Sequence, residues 1–198
     1  MKIEEYRGIR GLVVAEVTKD DSTEFTCDTP IALCGVAELS RTTETSSEAH
    51  YYDNVPAVVI DSTGSDEVTI TGSAIPFDVL AKITGQYYDE STGTFVEGER
   101  ESKYFALGYI TKKTDGTEVF VWRLKGKFNI PDSTHATEDH GTDANGQELT
   151  FTGINTSHKF TKTGKTAKAV NVDTGINNIT ETAFFEKVQN PDTVTASA

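Results

Sequence analysis

Apolar residues fall in short runs separated by polar stretches. Leu12–Val17 lies between Gly11 and the polar Thr18–Ser22 and predicts a strand. Ile31–Leu39 predicts another, with Gly35 marking a bulge. Residues 40–54, SRTTETSSEAHYYDN, have no apolar period and are read as a long loop, the kind of segment that carries function in a compact domain. Val55–Ile60 and Glu67–Thr71 predict strands joined by a turn at Ser62–Asp66. A short helix is predicted over about 75–84: Pro76 suits its first position, Asp78 its first turn and Gly85 its C-terminal cap. Phe77, Leu80 and Ile83 share one stripe of that helix. Residues 86–102 combine a turn-like STGT with many acids. Tyr104–Ile110 and Val119–Phe128 are the strongest strands, with a hairpin signal at Asp115-Gly116 between them. Alternation puts Phe120, Trp122, Leu124 and Phe128 on one face and Val119, Val121, Arg123, Lys125 and Lys127 on the other. Residues 131–147 read as a second polar loop, and Leu149, Phe151 and Phe160 mark late strands. The stretch 179–188 fits either a helix or a strand.

The expected core therefore comprises Phe77, Leu80, Ile83, Phe120, Trp122, Leu124 and Phe128. Many short strands and one helix predict a mainly β chain, an antiparallel β-sandwich or barrel-like fold with one flanking helix and long loops. Composition agrees: the chain has 30 Thr, a β-branched residue suited to half-buried strands. A length of 198 residues fits a single domain spanning 1–198, with a C-terminal arm expected from about 189.

The net charge of −13 argues against direct nucleic-acid or anionic-membrane binding. The whole excess lies in residues 1–102, whereas 103–198 balance 11 acids with 11 bases. Such asymmetry suits a chain that meets copies of itself, with Arg123, Lys125, Lys127 and Lys159–Lys168 as candidates for contact with acidic neighbours. Cys27 and Cys34 are too few for a disulfide framework and read as free thiols. The N-terminal MKIEEYRGIRGLVVAEV lacks the apolar core of a signal peptide, so synthesis in the cytoplasm is expected.

No motif supports catalysis. Gly164-Lys165-Thr166 ends like a phosphate-binding loop, but Lys159 stands where that motif needs its first glycine. Asp143-Ala-Asn145-Gly146 fails the calcium-loop frame, which would place Gly141 and Thr152 at acidic ligand positions. His135, Glu138, Asp139, His140 and Asp143 read as a solvated loop. No metal, cofactor or catalytic residue is therefore assigned, and the chain is not expected to be an enzyme. Tyr51, Tyr52, Tyr87 and Tyr88 leave one alternative open, an adhesive β-sandwich that binds carbohydrate or protein.

Five stretches, in order, resemble the major tail proteins of long-tailed phages of Gram-positive bacteria. They are Gly11–Asp21, Tyr51-Tyr-Asp-Asn54 after a threonine-rich loop, Ile75–Gly85, Trp122–Phe128 followed by Ile130-Pro131, and Ala144–Phe151. The resemblance covers about residues 8–190. It implies a virion protein made in the host cytoplasm, which forms hexameric rings that stack into the tail tube. Its partners would be itself, the tape measure protein and the tail tip and terminator proteins, with DNA passing through the lumen unbound. The loop residues Thr42, Thr43, Glu44, His50, Tyr51, Tyr52, Asp53 and Asn54 become the candidate assembly segment, expected to order against a neighbouring subunit.

Overall fold

The computed structural model describes residues 3–137 and 145–195. The strands are β1 (Tyr6–Asp20), β2 (Phe25–Cys27), β3 (Ile31–Ala32), β4 (Val36–Tyr52), β5 (Val55–Gly72), β6 (Tyr87–Asp89), β7 (Thr94–Val96), β8 (Phe105–Lys113), β9 (Glu118–Phe128), β10 (Asp132–Ser133), β11 (Gln147–Gly153) and β12 (Ala169–Asp173). Two helices join them, α1 (Phe77–Thr84) and α2 (Glu181–Phe185). Ten described strands form one antiparallel sheet with the path β2-β1-β8-β9-β11-β5-β4, which is open at both ends; β6 and β7 form a separate hairpin. The protein is thus mainly β, a sandwich with short helices rather than a closed barrel.

The β1-β8-β9 layer is buried on both faces. On one side Leu12, Val14, Leu107, Tyr109 and Val121 pack with Val68, Ile70, Leu149 and Phe151 of β5 and β11, and with Leu80 and Ile83 of α1. On the other side Ala15, Ile110, Phe120, Trp122 and Leu124 pack with Phe160, Val172, Phe184 and Val188 of the C-terminal segment. The Trp122 indole N–H donates to the Phe184 carbonyl at 3.2 Å, so burial leaves its polar edge satisfied.

Phe128 does not share a face with Trp122. Phe105 pairs with Gly126 but Leu107 pairs with Arg123, so β9 carries one extra residue between these positions. A one-residue bulge reverses the face of everything beyond it. Phe128 accordingly packs against Phe105 and Phe151 in the first core. Strict alternation misses this because nothing local to Leu124-Lys125-Gly126 announces a bulge except the glycine. On the opposite face Val119, Val121 and Arg123 are also buried, and Lys125, beyond the bulge, is buried beside Lys127 over the Tyr104 ring.

The helix ends as its sequence predicts: Gly85 adopts φ 70° and its N–H donates to the Ala81 carbonyl. Leu80 and Ile83 are buried, but Phe77 is 54% exposed and stacks on Phe95 of the β6–β7 hairpin with centroids 5.5 Å apart. Phe77 is the first residue of α1, so its side chain overhangs the end of the core rather than entering it. Residues 179–188, undecided in sequence, contain α2, capped by the Thr180 hydroxyl accepting from Ala183 N–H. Residues 190–195 lie against the body of the protein. Asp192 accepts from the Thr161 and Lys162 N–H groups at 2.8 and 2.7 Å, and Asn177 donates to the Thr195 carbonyl at 3.1 Å.

Candidate assembly surface

The stretch expected as a loop at 40–54 is strand. It forms most of β4, which pairs with β5 from Val36↔Gly72 out to Tyr52↔Val55. Ser62–Asp66, expected as a turn, lies inside β5, and Glu67–Thr71 continues the strand that starts at Val55. The reversal occurs at Asp53-Asn54, where both residues have positive φ, 51° and 65°. That two-residue geometry matches the twist of flanking strands and favours Asn and Asp. The absence of an apolar period is real, and its cause is that the outer hairpin has no buried face: from Glu44 to Thr63 every residue is exposed. The threonines and the Asp-Asn turn were the strand signals.

Each proposed assembly residue can now be placed. Thr42 pairs with Glu67, and the Thr43 hydroxyl donates to Asp66 at 3.0 Å. Glu44 lies against Gly64, whose missing side chain makes room for it. His50, Tyr51 and Tyr52 pair with Val58, Pro56 and Val55, and Asp53 and Asn54 form the turn. Around that turn Tyr51, Tyr52, Val55, Val58, Val59 and Ile60 are 49% to 65% exposed. A two-stranded ribbon without a covered face is marginal in water, and a cluster of large exposed apolar side chains marks an interaction surface.

Tyr51 and Tyr52 point to opposite faces of the hairpin, and Tyr87 and Tyr88 alternate on β6. The four tyrosines therefore make no single aromatic platform of the kind an adhesive module would use.

The inner part of the hairpin continues the sheet. There the face opposite the core carries Glu38, Ser40 and Thr42 on β4, Thr71, Thr69 and Glu67 on β5, and Glu148, Thr150 and Thr152 on β11, in directly paired rows. All nine are exposed or half-buried. This three-strand face holds three carboxylates and no Lys or Arg. Across from Thr152 on β9, Lys127 lies over the Tyr104 ring at 4.5 Å.

The buried cations of β9 are used within the chain, contrary to the expectation that they meet a neighbour. Arg123 Nη1 donates to Asp66 Oδ2 at 2.7 Å, and Lys168 Nζ reaches the other oxygen at 3.2 Å. Burial pushes the Asp66 carboxyl up, but hydrogen bonds from Thr43 and Lys168 and the charges of Lys168 and Arg123 outweigh it and hold it below the usual carboxylate range. Lys125 Nζ donates to Asp20 at 2.5 Å, and Asp20 also accepts from the Ser157 and His158 N–H groups. For Asp20 too, burial acts upward and is outweighed by Lys125 and the two backbone donors. Lys159 and Lys165 remain exposed.

Cys27 and Cys34 are free. Burial, with Asp28 and Asp20 nearby, pushes the Cys27 thiol up to about 12, which leaves it un-ionised and unreactive. Among the described residues no group of three or more His, Cys, Asp or Glu could hold a metal ion. Of the sequence's loop cluster, Glu138, Asp139, His140 and Asp143 lie outside the described residues. No described helix is long and apolar enough to cross a membrane.

The described residues form an open-edged β-sandwich with a projecting hairpin. The family model for phage tail tube protein matches residues 41–189, which run from the hairpin through the C-terminal segment. The chain belongs to that family. No curated protein matches it. It is a structural component of the phage virion.

Proposed function

We propose that this chain polymerises into stacked rings, hexameric by resemblance, that form the wall of the tail tube. The observation that supports this reading best is the outer β4–β5 hairpin, exposed on both faces and bearing six large apolar residues at its end. A monomer leaves this ribbon unsupported; a polymer covers it. The strand edges of β4 and of outer β5 also lack partners among the described strands, and pairing with the next copy would remove that liability.

The nine-residue Thr/Ser/Glu face of β4, β5 and β11 is assigned to the channel. Its hydroxyls keep it wetted and its carboxylates repel phosphate, so DNA slides without being held. The tape measure protein within the lumen and the tip and terminator proteins at the tube ends complete the partners. Electron microscopy of concentrated protein tests the reading: tubes or rings are expected. A protein that stays monomeric at high concentration and within isolated tails contradicts it.

A further inference from the structure

The sandwich opens beside the base of the hairpin into a cleft of about 860 Å³. Its lining includes Ile9, Leu39, Tyr109 and Val121, together with Arg41 and Arg123. Charge there is unbalanced. The single Asp66 carboxylate faces three cations, Arg123 at 2.7 Å, Lys168 at 3.2 Å and Arg41 at 3.8 Å. Arg123 Nε is buried with no acceptor. Glu38 is the one carboxylate among the lining residues, and even with it cations outnumber carboxylates.

The same chain carries a segment of complementary character. Between Ala49 and Ile60 the one acid is Asp53, at the turn, and there is no Lys or Arg. Tyr51, Tyr52, Val55, Val58, Val59 and Ile60 surround it, all exposed. This tip cannot fill its own cleft. Strand pairing from Arg41 to Tyr52, with register shifts at Thr43–Thr45 and His50–Tyr51, carries it away from the body, roughly 35 Å at about 3.3 Å per residue.

We propose that the hairpin tip of one copy seats in the cleft of another, its apolar side chains against Ile9 and Leu39 and the Asp53 carboxylate toward Arg41 and Arg123. The proposal rests on the tube reading above and adds which surfaces meet. Tip and cleft are different patches, so the contact is heterologous and propagates from copy to copy, as a tube requires. Asp53 supplies the anion that the cleft lacks, and a charge pair sheltered from water contributes more than an exposed one.

The test uses full-length protein followed by light scattering and electron microscopy. Asp53→Asn keeps a residue that tolerates positive φ and removes only the charge. It should leave the melting temperature unchanged and raise the concentration needed for assembly at least about tenfold. Asp53→Lys and Arg41→Glu should each block assembly, and the double variant should restore it. Normal assembly of Asp53→Asn, or failure of the double variant to recover, overturns the tip-in-cleft contact while wild-type tubes keep the functional reading intact. Wild-type protein that never polymerises overturns that reading itself.

Discussion

Arg123 Nη1 meets Asp66 Oδ2 at 2.7 Å, and both side chains are less than a tenth exposed. The pair links β9 of the central layer to β5 where the hairpin leaves the body of the protein, so it anchors the projecting arm as well as closing the sandwich. Removing one partner leaves an uncompensated buried charge, so Asp66→Asn should destabilise by about 3–5 kcal/mol. Because the folded carboxyl titrates below its unfolded value of about 3.9, its stabilisation is fully present above that pH and disappears as pH falls through the folded value. Urea unfolding of wild type and variant from pH 7 to pH 3 checks this: the gap should narrow in acid. A gap independent of pH would show that packing, not charge, is lost.

Trp122 is fully buried and sits against Phe185 with centroids 5.5 Å apart. Trp122→Ala should cost about 3–5 kcal/mol. It should also loosen the C-terminal segment first, because the indole bonds to the Phe184 carbonyl. Chemical denaturation measures the loss, and hydrogen exchange should show amides of 181–189 opening earlier than those of β8.

The hairpin tip contributes little to the monomer. Val59→Ser combined with Ile60→Ser should change stability by no more than about 0.5 kcal/mol and should suppress polymerisation. Replacing residues 45–62 with a short Asn-Gly turn should do the same. Thermal melting and sedimentation separate the two effects; polymers of normal length from the shortened chain would assign the hairpin another role.

Salt should promote assembly. Arg123, Lys125 and Lys168 are engaged within the chain, and each copy brings a net charge of −13, so repulsion between copies outweighs attraction by the cations left exposed. The screening length falls from about 10 Å at 0.1 M to about 3 Å at 1 M, which relieves repulsion between copies. Light scattering across that range should rise; a steady fall would mean that exposed ion pairs between subunits dominate.

The sequence made part of the core legible because apolar residues recur at helix spacing in 77–83 and at strand spacing in 120–124. Leu80, Ile83, Phe120, Trp122 and Leu124 lie in the interior, and Gly85 ends α1 by a conformation few other residues adopt. Phe128 is buried on the other face because a bulge leaves no mark in hydropathy. The hairpin was hidden for a different reason. Strand prediction reads contrast between a buried and a solvent face, and residues 44–63 show none in the monomer. The segment proposed for assembly therefore reads as a loop in sequence, although its exposed tyrosines and threonines single it out. The use of Arg123 and Lys125 was illegible too: their partners Asp66 and Asp20 lie 57 and 105 residues away along the chain.

The chain is proposed to build a tube by covering its hairpin with neighbouring copies. A cryo-electron microscopy reconstruction of tubes assembled from the full-length protein shows whether it does. Repeated copies are expected around a channel lined by Glu38, Glu67 and Glu148, with Tyr51 to Ile60 of each copy buried against another. A reconstruction in which those glutamates face outward and the hairpin tip stands free in solvent would contradict it.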